Sequence, residues 1–234
     1  MHYFPITGTY FSVLLFIVLA LVVLIQIQAL QYAYERLGIP RGVAALLLVA
    51  CLLGSYVNIP IAHLPEKEIV SGQVVTVFGS RYVIPVVRDW PGTVIAVNVG
   101  GALIPIVTSI YLIVRNGLWI TAPIAVAALA ALSYALAKPV PGLGIAVPVF
   151  VPALAAAAVA LLLSRRHAAP LAYIGGSIGT LVGADLLNLG RIQGLGAPIA
   201  SIGGAGTFDG VFITGIVAVL LASIPWRDRS VTSS

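Results

Sequence analysis

Charged residues are scarce in this chain of 234 residues, of which 8% are charged and 60% are hydrophobic. A soluble globular domain is about a quarter charged. This composition excludes an ordinary soluble domain, and we predict an integral membrane protein. The net charge of +5 comes mostly from arginines beside hydrophobic segments. That placement is typical of membrane topology, and we therefore expect lipid and no nucleic acid as a partner.

Cysteine is almost absent. The single Cys51 lies in an apolar run, which excludes an intramolecular disulfide and a zinc cluster built from cysteines. The chain shows no motif for haem, nucleotide or zinc, and we predict no cofactor. The first apolar run follows no basic region and ends in no small-residue cleavage site, so we interpret it as a retained transmembrane helix.

Long hydrophobic runs dominate what is present. A spanning helix needs about 20 apolar residues, and scanning for that length predicts spans at 9–33, 42–58, 93–114, 118–137, 144–164, 170–189 and 207–224. We therefore predict an all-α polytopic transmembrane bundle that forms a single integral membrane domain over residues 1–234. If the fifth segment, which is rich in proline and alanine, is re-entrant, the bundle has one span fewer.

The basic residues predict the orientation, because cytoplasmic ends of spans collect Arg and Lys. With the N-terminus outside and the C-terminus inside, the outer links hold only Lys138 and Arg191. The inner ends then hold Arg36, Arg41, Arg115, Arg165, Arg166, Arg227 and Arg229.

The longest link, residues 59–92, is expected outside the membrane. Two β-branched and aromatic runs flank Gly79-Ser80, and this pattern predicts a small β-hairpin over 73–87. Pro85 would restrict its second strand to a sheet edge. The hairpin either caps the bundle or offers a strand edge to an extended peptide.

Small residues and prolines shape the predicted spans. Gly175, Gly179 and Gly183 form two overlapping Gly-xxx-Gly steps, which predict one tightly packed helix face. Four prolines are expected to kink or break their helices: Pro105, Pro123, Pro148 and Pro152.

Only two acids, Asp185 and Asp209, lie inside apolar sequence of membrane length. A carboxylate inside the bilayer is unfavourable unless it pairs with a cation, is protonated or is hydrated. An acid at this depth therefore indicates a functional site. The remaining acids fall at segment ends or in the polar loop, where water solvates them: Glu35, Glu66, Glu68, Asp89 and Asp228.

The two acids are predicted to form one polar layer with three asparagines. Each Asp is about fifteen residues from the inner end of its span, or roughly 22 Å above the inner boundary. Asn58, Asn98 and Asn188 fall near the same depth, and Asn188 shares a helix face with Asp185. The alternative is that these side chains only cross-link helices through hydrogen bonds.

Further binding residues are predicted beside the acids. Gly183 and Gly206 precede Asp185 and Asp209 and leave space for a substrate backbone. Arg191, in the link between the two spans, is a candidate ion-pair partner for one of the acids. We predict no metal site.

Three motifs resemble the prokaryotic membrane-protein family of unknown function DUF1614. They are Gly-Ala-Asp-Leu-Leu-Asn-Leu, Gly-Gly-Ala-Gly-Thr-Phe-Asp-Gly-Val-Phe-Ile-Thr-Gly-Ile and Ala-Val-Asn-Val-Gly-Gly-Ala-Leu-Ile-Pro. The resemblance covers nearly the whole chain and implies a multi-pass protein of a prokaryotic cell membrane. It names a family without naming an activity.

The Asp pair is also similar to the presenilin and signal-peptide-peptidase class of intramembrane aspartyl proteases, whose two catalytic Asp lie on adjacent spans. Pro152-Ala153-Leu154 matches the Pro-Ala-Leu tripeptide of that class. This similarity implies that Asp185 and Asp209 share one proton and hydrolyse a transmembrane peptide.

Two other functions are compatible with the sequence. In a proton- or cation-coupled transporter or channel, the Asp pair would bind the ion, and the three asparagines would complete an oxygen shell. In a non-catalytic assembly or lipid-binding protein, the hairpin would be the contact surface. The sequence does not predict the oligomeric state.

Overall fold

The structure is a computed structural model that describes residues 8–64, 74–77, 80–83, 92–140, 144–148, 150–192, 199–204 and 210–223. The described chain is predominantly helical, with small sheets. Its helices are α1 (Gly8–Arg36), α2 (Arg41–Gly54), α3 (Ile104–Asn116), α4 (Thr121–Leu136), α5 (Phe150–Leu163), α6 (Ala168–Ile174), α7 (Leu189–Ile192) and α8 (Gly210–Ala222). Its strands are β1 (Asn58–Leu64), β2 (Val74–Val77), β3 (Ser80–Val83), β4 (Thr93–Asn98), β5 (Lys138–Val140), β6 (Gly144–Ala146) and β7 (Ile199–Ile202).

Among the described residues, two helices are long and apolar enough to cross a membrane, Val99–Asn116 and Ala168–Ile192. The second, which we name the 168–192 helix, consists of α6, two π-helical turns, a 3-10 turn and α7. Shorter apolar helices, α4, α5 and α8, pack around it. These helices fit a membrane protein, and the count of seven spans stays a prediction.

Helices α1 and α2 meet at a sharp bend. Residues Leu21–Arg36 and Arg41–Gly54 are inclined by 118°, and together they would count as one broken span. The chain turns at Gly38, whose φ is 77°, before Pro40 starts α2. Arg115 of α3 donates a 2.6 Å hydrogen bond to the Gly38 carbonyl, which fastens the bend to the bundle.

The main sheet has the order β1-β4-β7, in which β4 is antiparallel to β1 and parallel to β7. The β1–β4 register shifts between Pro60 and Ala62. A proline lacks the N–H that a continuous ladder needs, which explains a bulge at this place. Ile95 and Ile202 of the sheet belong to a small hydrophobic cluster with Ala102, Leu181 and Val211 of the helices.

Three predicted spans are wrong in their boundaries because strands replace part of them. Helix α2 ends at Gly54, and the chain is already a strand at Asn58. The predicted spans at 93–114 and 144–164 each begin as a strand, β4 and β6, before a helix starts. Short apolar runs of β-branched residues fit both structures, and periodicity alone does not separate them. The fold is therefore not all-α.

The predicted hairpin is present. β2 and β3 pair antiparallel, with Val77 opposite Ser80. Ser80 therefore belongs to a strand and not to the predicted Gly79-Ser80 turn. Residues 78–79 lie outside the described part of the chain. So do residues 84–87, the last four of the predicted hairpin.

The four prolines do not act alike. Pro105 lies inside the Val99–Asn116 helix, where its π-helical turn changes to α3, and Pro148 lies between β6 and α5, so both stand at interruptions of their predicted spans. Pro123 and Pro152 lie in the first turns of α4 and α5 and do not kink them, so the expectation is wrong for these two. The first turn of a helix has no internal acceptor for its N–H groups, so proline removes no hydrogen bond there.

The tightly packed glycine face is confirmed. A Cβ placed on Gly179 would lie 2.5 Å from the Cβ of Leu129, and one on Gly183 would lie 2.2 Å from the carbonyl oxygen of Ala130. Both partners belong to α4. The 168–192 helix and α4 therefore touch backbone to backbone, as small residues allow in a bundle.

Candidate functional site

Asp185 closes the second π-helical turn of the 168–192 helix, Leu181–Asp185. Its side chain is half-buried, and its Oδ2 accepts a 2.7 Å hydrogen bond from the backbone N–H of Gly203. Gly203 follows β7 directly and has a φ of 85°. The carboxylate therefore lies at the end of a strand of the main sheet, which the sequence analysis did not predict.

Asn98 is the centre of a second polar group. It is fully buried as the last residue of β4, and its Nδ2 donates to the Ser55 carbonyl at 2.8 Å and to Asn58 Oδ1 at 3.1 Å. Its Oδ1 accepts from the backbone N–H of Gly101 at 2.8 Å, which caps the helix that follows. One side chain thus ties α2, β1, β4 and Val99–Asn116 together.

Asn58 and Asn98 lie opposite each other in the β1–β4 ladder. Their predicted proximity is therefore observed, although a sheet and not two helices produces it. The hydroxyl of Ser201, on β7, lies 2.7 Å from Asn58 Oδ1 and 2.5 Å from the carbonyl oxygen of Gly204. The single Ser201 hydroxyl proton therefore serves two acceptors, while Asn58 Oδ1 also accepts from Asn98 Nδ2.

Glycines allow the backbones around these polar groups to touch. A Cβ on Gly100 would lie 2.1 Å from the Cys51 carbonyl oxygen, and one on Gly101 would lie 1.8 Å from the Gly203 carbonyl oxygen. Gly203 thus links the two groups, because its N–H binds Asp185 while its carbonyl packs against Gly101. We name this assembly of Asn58, Asn98, Asp185, Ser201 and Gly203 the polar joint.

Asn188 lies apart from the polar joint, on the last turns of the same helix as Asp185. It is fully buried, and its Nδ2 donates to the carbonyls of Gly183 and Ala184 at 2.9 and 3.0 Å. These carbonyls belong to the π-helical turn, where the regular α-helical ladder is interrupted. Asn188 therefore satisfies backbone groups that the turn would leave exposed in an apolar environment.

Arg191 binds neutral groups. Its Nη1 donates to Asn188 Oδ1 at 3.1 Å, and its Nη2 donates to the Tyr134 hydroxyl at 2.8 Å. The guanidinium carbon also lies 4.8 Å from the centroid of the Tyr134 ring. These contacts fasten the end of the 168–192 helix to the end of α4. Its pairing with an aspartate stays a prediction.

The remaining predicted site residues are placed only in part. The space beside Gly183 is filled by Ala130, so this glycine serves helix packing and leaves no room there for a substrate backbone. Asp209 and Gly206 lie outside the described residues, and α8 begins at the next residue, Gly210. The distance between the two Asp carboxyl groups stays a prediction.

The sequence analysis missed Ser201, Gly203 and Tyr134. A signal was available for the first two, because Ile-Ala-Ser-Ile-Gly-Gly combines a short β-branched run with paired glycines, which is typical of a strand that ends in a turn. Tyr134 carries no such signal, since its role depends on how α4 lies against the 168–192 helix.

The arrangement bears on which ligands the site can hold. The Oδ1 atoms of Asn58, Asn98 and Asn188 each accept at least one protein hydrogen bond. An oxygen shell for a hard cation would have to compete with these bonds. The Asp185 carboxyl group accepts a hydrogen bond at an irregular turn of a membrane-length helix, the setting in which functional acids are found.

The fold and the polar joint define a predominantly helical protein with membrane-length helices and a small three-stranded sheet. The family model described as "Protein of unknown function (DUF1614)" matches residues 52–221. The chain belongs to this family, which confirms the resemblance drawn from its three motifs. The match includes every residue of the polar joint. No curated protein and no solved structure matches the chain.

Proposed function

We propose that this protein is an intramembrane aspartyl protease-like hydrolase in which Asp185 and Asp209 cleave membrane-embedded peptides. The observation that carries the proposal is the hydrogen bond between the Asp185 carboxylate and the Gly203 N–H at the end of β7. It fixes an acid of a membrane-length helix beside the backbone of a strand. A peptide-hydrolysing site needs an acid next to an extended chain.

In the proposed reaction, Asp185 is the general base and Asp209 the general acid. A donated N–H bond is stronger to an ionised carboxylate than to a neutral one, so Asp185 suits the ionised role. Water attacks the peptide carbonyl carbon while its proton passes to Asp185 and Asp209 protonates the carbonyl oxygen. When the C–N bond of the resulting diol breaks, Asp185 returns a proton to the departing amine and Asp209 takes a proton from a diol hydroxyl, which leaves a carboxylic acid and restores both aspartates.

Strand β7 supports the proposal because it offers a surface for an extended substrate. Among the described strands it pairs with β4 alone, and Ile199 at its start is exposed. A peptide added along the free side of β7 would receive backbone hydrogen bonds and would run toward Gly203 and Asp185. Local unwinding of a helical substrate would precede this pairing.

We further propose a seven-span arrangement in a prokaryotic cell membrane, with the N-terminus outside, the C-terminus inside and the β2–β3 hairpin outside. The basic residues beside the hydrophobic segments support this orientation. Single cysteines placed at Lys67 and at Arg165 in a Cys51→Ala background test it. An impermeant maleimide should label the first and not the second in intact cells, and the opposite pattern would reverse the topology.

The alternative function is transport coupled to an ion, in which the Asp pair would bind a proton or a cation. The observation in its favour is the irregular geometry at Asp185, because interrupted helices with acids are typical of transporter sites. The side-chain oxygens of the three asparagines already accept hydrogen bonds, so they are poorly available as ligands for a metal cation. This favours a proton as the coupled ion.

The two functions separate in liposomes that contain the purified protein. The protease proposal expects a single-span reporter peptide with a glycine-rich centre to be cut, with fragments identified by mass spectrometry. Asp185→Asn and Asp209→Asn should abolish cleavage, whereas Asp89→Asn, in the predicted polar loop, should not. An imposed pH gradient that dissipates through the wild type but not through Asp185→Asn, without cleavage, would instead identify a proton carrier.

A further inference from the structure

An exposed group of arginines surrounds the bend between α1 and α2. Arg36 is the last residue of α1, and Arg41 is the first residue of α2. Arg115 of α3 reaches the same bend, where its Nη1 donates the 2.6 Å hydrogen bond to the Gly38 carbonyl. All three arginines are exposed. We name Arg36, Arg41 and Arg115 the arginine cluster.

Aromatic rings hold two members of the arginine cluster in place. The guanidinium carbon of Arg36 lies 5.9 Å from the centroid of the Tyr32 ring. That of Arg115 lies 5.6 Å from the centroid of the Tyr111 ring, and its Nη1 also donates to the Tyr111 hydroxyl at 2.7 Å. A cation–π contact orients a guanidinium group but leaves its positive charge in place. The guanidinium group has more N–H donors than these contacts use, so both side chains can bind a further ligand.

The arginine cluster carries a surplus of positive charge. Among the described residues of α1, α2 and α3, its three arginines are accompanied by one acid, Glu35. Glu35 forms an ion pair with Arg41, whose side chain is nevertheless 81% exposed. Three arginines and one acid leave a net charge of +2 around the bend.

Two further arginines lie at the same end of the helical bundle. They precede α6: Arg165 and Arg166. Gly175 of the 168–192 helix lies against Ala125 of α4, and Gly183, further along, lies against Ala130. The two helices therefore run in the same direction, and the start of the 168–192 helix is level with the start of α4. Since α4 follows the end of α3, this is the end of the bundle that carries Arg115.

Exposed apolar side chains continue from the arginine cluster along α2 and α3. Three of them share one face of α3: Val107, Ile110 and Val114. Two lie at the start of α2: Val43 and Leu46. A soluble anion would contact the charges alone, whereas a phospholipid carries a phosphate group joined to apolar chains. The combination of cationic and apolar surface therefore favours a phospholipid.

We propose that the arginine cluster binds the headgroup phosphate of an anionic phospholipid whose acyl chains lie along the exposed faces of α2 and α3. Guanidinium groups bind phosphate through paired N–H donors. The surplus charge favours phosphatidylglycerol, which has a net negative charge, over phosphatidylcholine, which has none. The lipid site is separate from the polar joint, and it does not depend on the proposed hydrolysis.

Tryptophan fluorescence of the full-length protein in liposomes tests this lipid site. Trp119 is exposed in the turn between α3 and α4, close in sequence to Arg115. Replacing Trp90 and Trp226 by Phe leaves Trp119 as the single tryptophan. Phosphatidylglycerol with brominated acyl chains should quench Trp119 more strongly than brominated phosphatidylcholine at the same mole fraction. The ratio of the two quenching constants measures the lipid preference.

Substitutions in the cluster should change this preference in both directions. Arg36→Gln and Arg115→Gln should each lower it by roughly two- to fivefold, because each removes one positive charge near the headgroup. Glu35→Gln should raise it, because it removes the acid that pairs with Arg41, and a misfolded variant would not show such a gain. Lys138→Gln, at the far end of α4, is the control and should leave the preference unchanged.

The contrary outcomes are distinct. Equal quenching of the wild type by the two lipids would overturn the proposal, and so would an unchanged preference in Arg36→Gln and Arg115→Gln. Sodium phosphate and sodium chloride at equal ionic strength should weaken the preference equally, through screening. Loss of the preference in phosphate but not in chloride would show that the cluster binds a soluble anion, which also overturns the lipid site.

Discussion

The Gly203 N–H donates to Asp185 Oδ2 at 2.7 Å, and this bond joins the end of strand β7 to an irregular turn of the 168–192 helix. It connects the acid that the sequence marks as functional to a sheet that the sequence does not predict. The bond gives Asp185 a structural role beside the proposed chemical one, and the two roles can be separated by experiment.

Replacing Asp185 by Ala and by Asn should separate these roles. Asp185→Ala leaves the Gly203 N–H without its acceptor and should lower the free energy of unfolding by about 1–3 kcal/mol. Asp185→Asn keeps an acceptor oxygen and should be nearly as stable as the wild type while losing cleavage. Denaturant unfolding and the reporter-peptide assay give the two measurements. Full cleavage by Asp185→Asn would exclude the general-base role.

Gly203→Ala should be far more damaging than Gly117→Ala. Both glycines have positive φ, 85° and 64°, so both substitutions strain the backbone by about 1 kcal/mol. Only at Gly203 would the new Cβ collide with backbone, 2.6 Å from the Ala102 nitrogen, whereas Gly117 has nothing within 4 Å. The yield of folded protein and Tm measure the difference. Equal losses would show that the contact between Gly203 and Ala102 is unimportant.

The glycine face of the 168–192 helix offers a second matched pair. Gly183→Ala should push the helix away from α4, because its Cβ would lie 2.2 Å from the Ala130 carbonyl oxygen. Gly190→Ala has nothing within 4 Å and should leave stability unchanged or raise it by up to about 1 kcal/mol through helix propensity. Tm in detergent should therefore fall for the first variant only, and a similar Tm for both would contradict the packing role.

Asn98→Ala should lower the free energy of unfolding by about 3 kcal/mol. The substitution removes the buried hydrogen bonds that Asn98 makes with the Ser55 carbonyl and the Gly101 N–H. Asn98→Asp keeps the cap on Gly101 but sets a carboxylate against two acceptor oxygens, and it should not restore stability. Asn116→Ala, which loses one bond to Leu112 at a helix end, is the control. Unfolding by denaturant gives the comparison, in which recovery by the Asp variant would contradict the donor role.

Arg191→Lys should lower stability, although both side chains are positively charged, because lysine cannot replace the contacts of the guanidinium group. A lysine cannot reach Asn188 and Tyr134 with two planar donors and stack on the ring as well. A double-mutant cycle with Tyr134→Phe should give a coupling energy of about 0.5–1 kcal/mol. A coupling near zero would mean that the contact contributes nothing at this exposed position.

Much of the candidate site follows from composition and spacing. Asp185 stands out because an acidic residue is rare in apolar sequence. Asn58 and Asn98 were predicted to lie at similar depth in the membrane from their positions within the predicted spans. Their direct contact could not be derived, because the same β-branched runs fit a helix or a strand until a partner strand is known. The partner β7 comes from residues about 100 positions later in the chain.

The sequence by itself determined the membrane character, the β2–β3 hairpin and the glycine face, because each depends on local pattern: hydrophobic length, alternation around a turn and helical spacing of small residues. The tertiary structure alone decided that β7 pairs with β4 and that the Gly203 N–H binds Asp185. These features depend on contacts between segments far apart in the chain. Such contacts are selected by the packing of the whole fold and not by the pattern of any one segment.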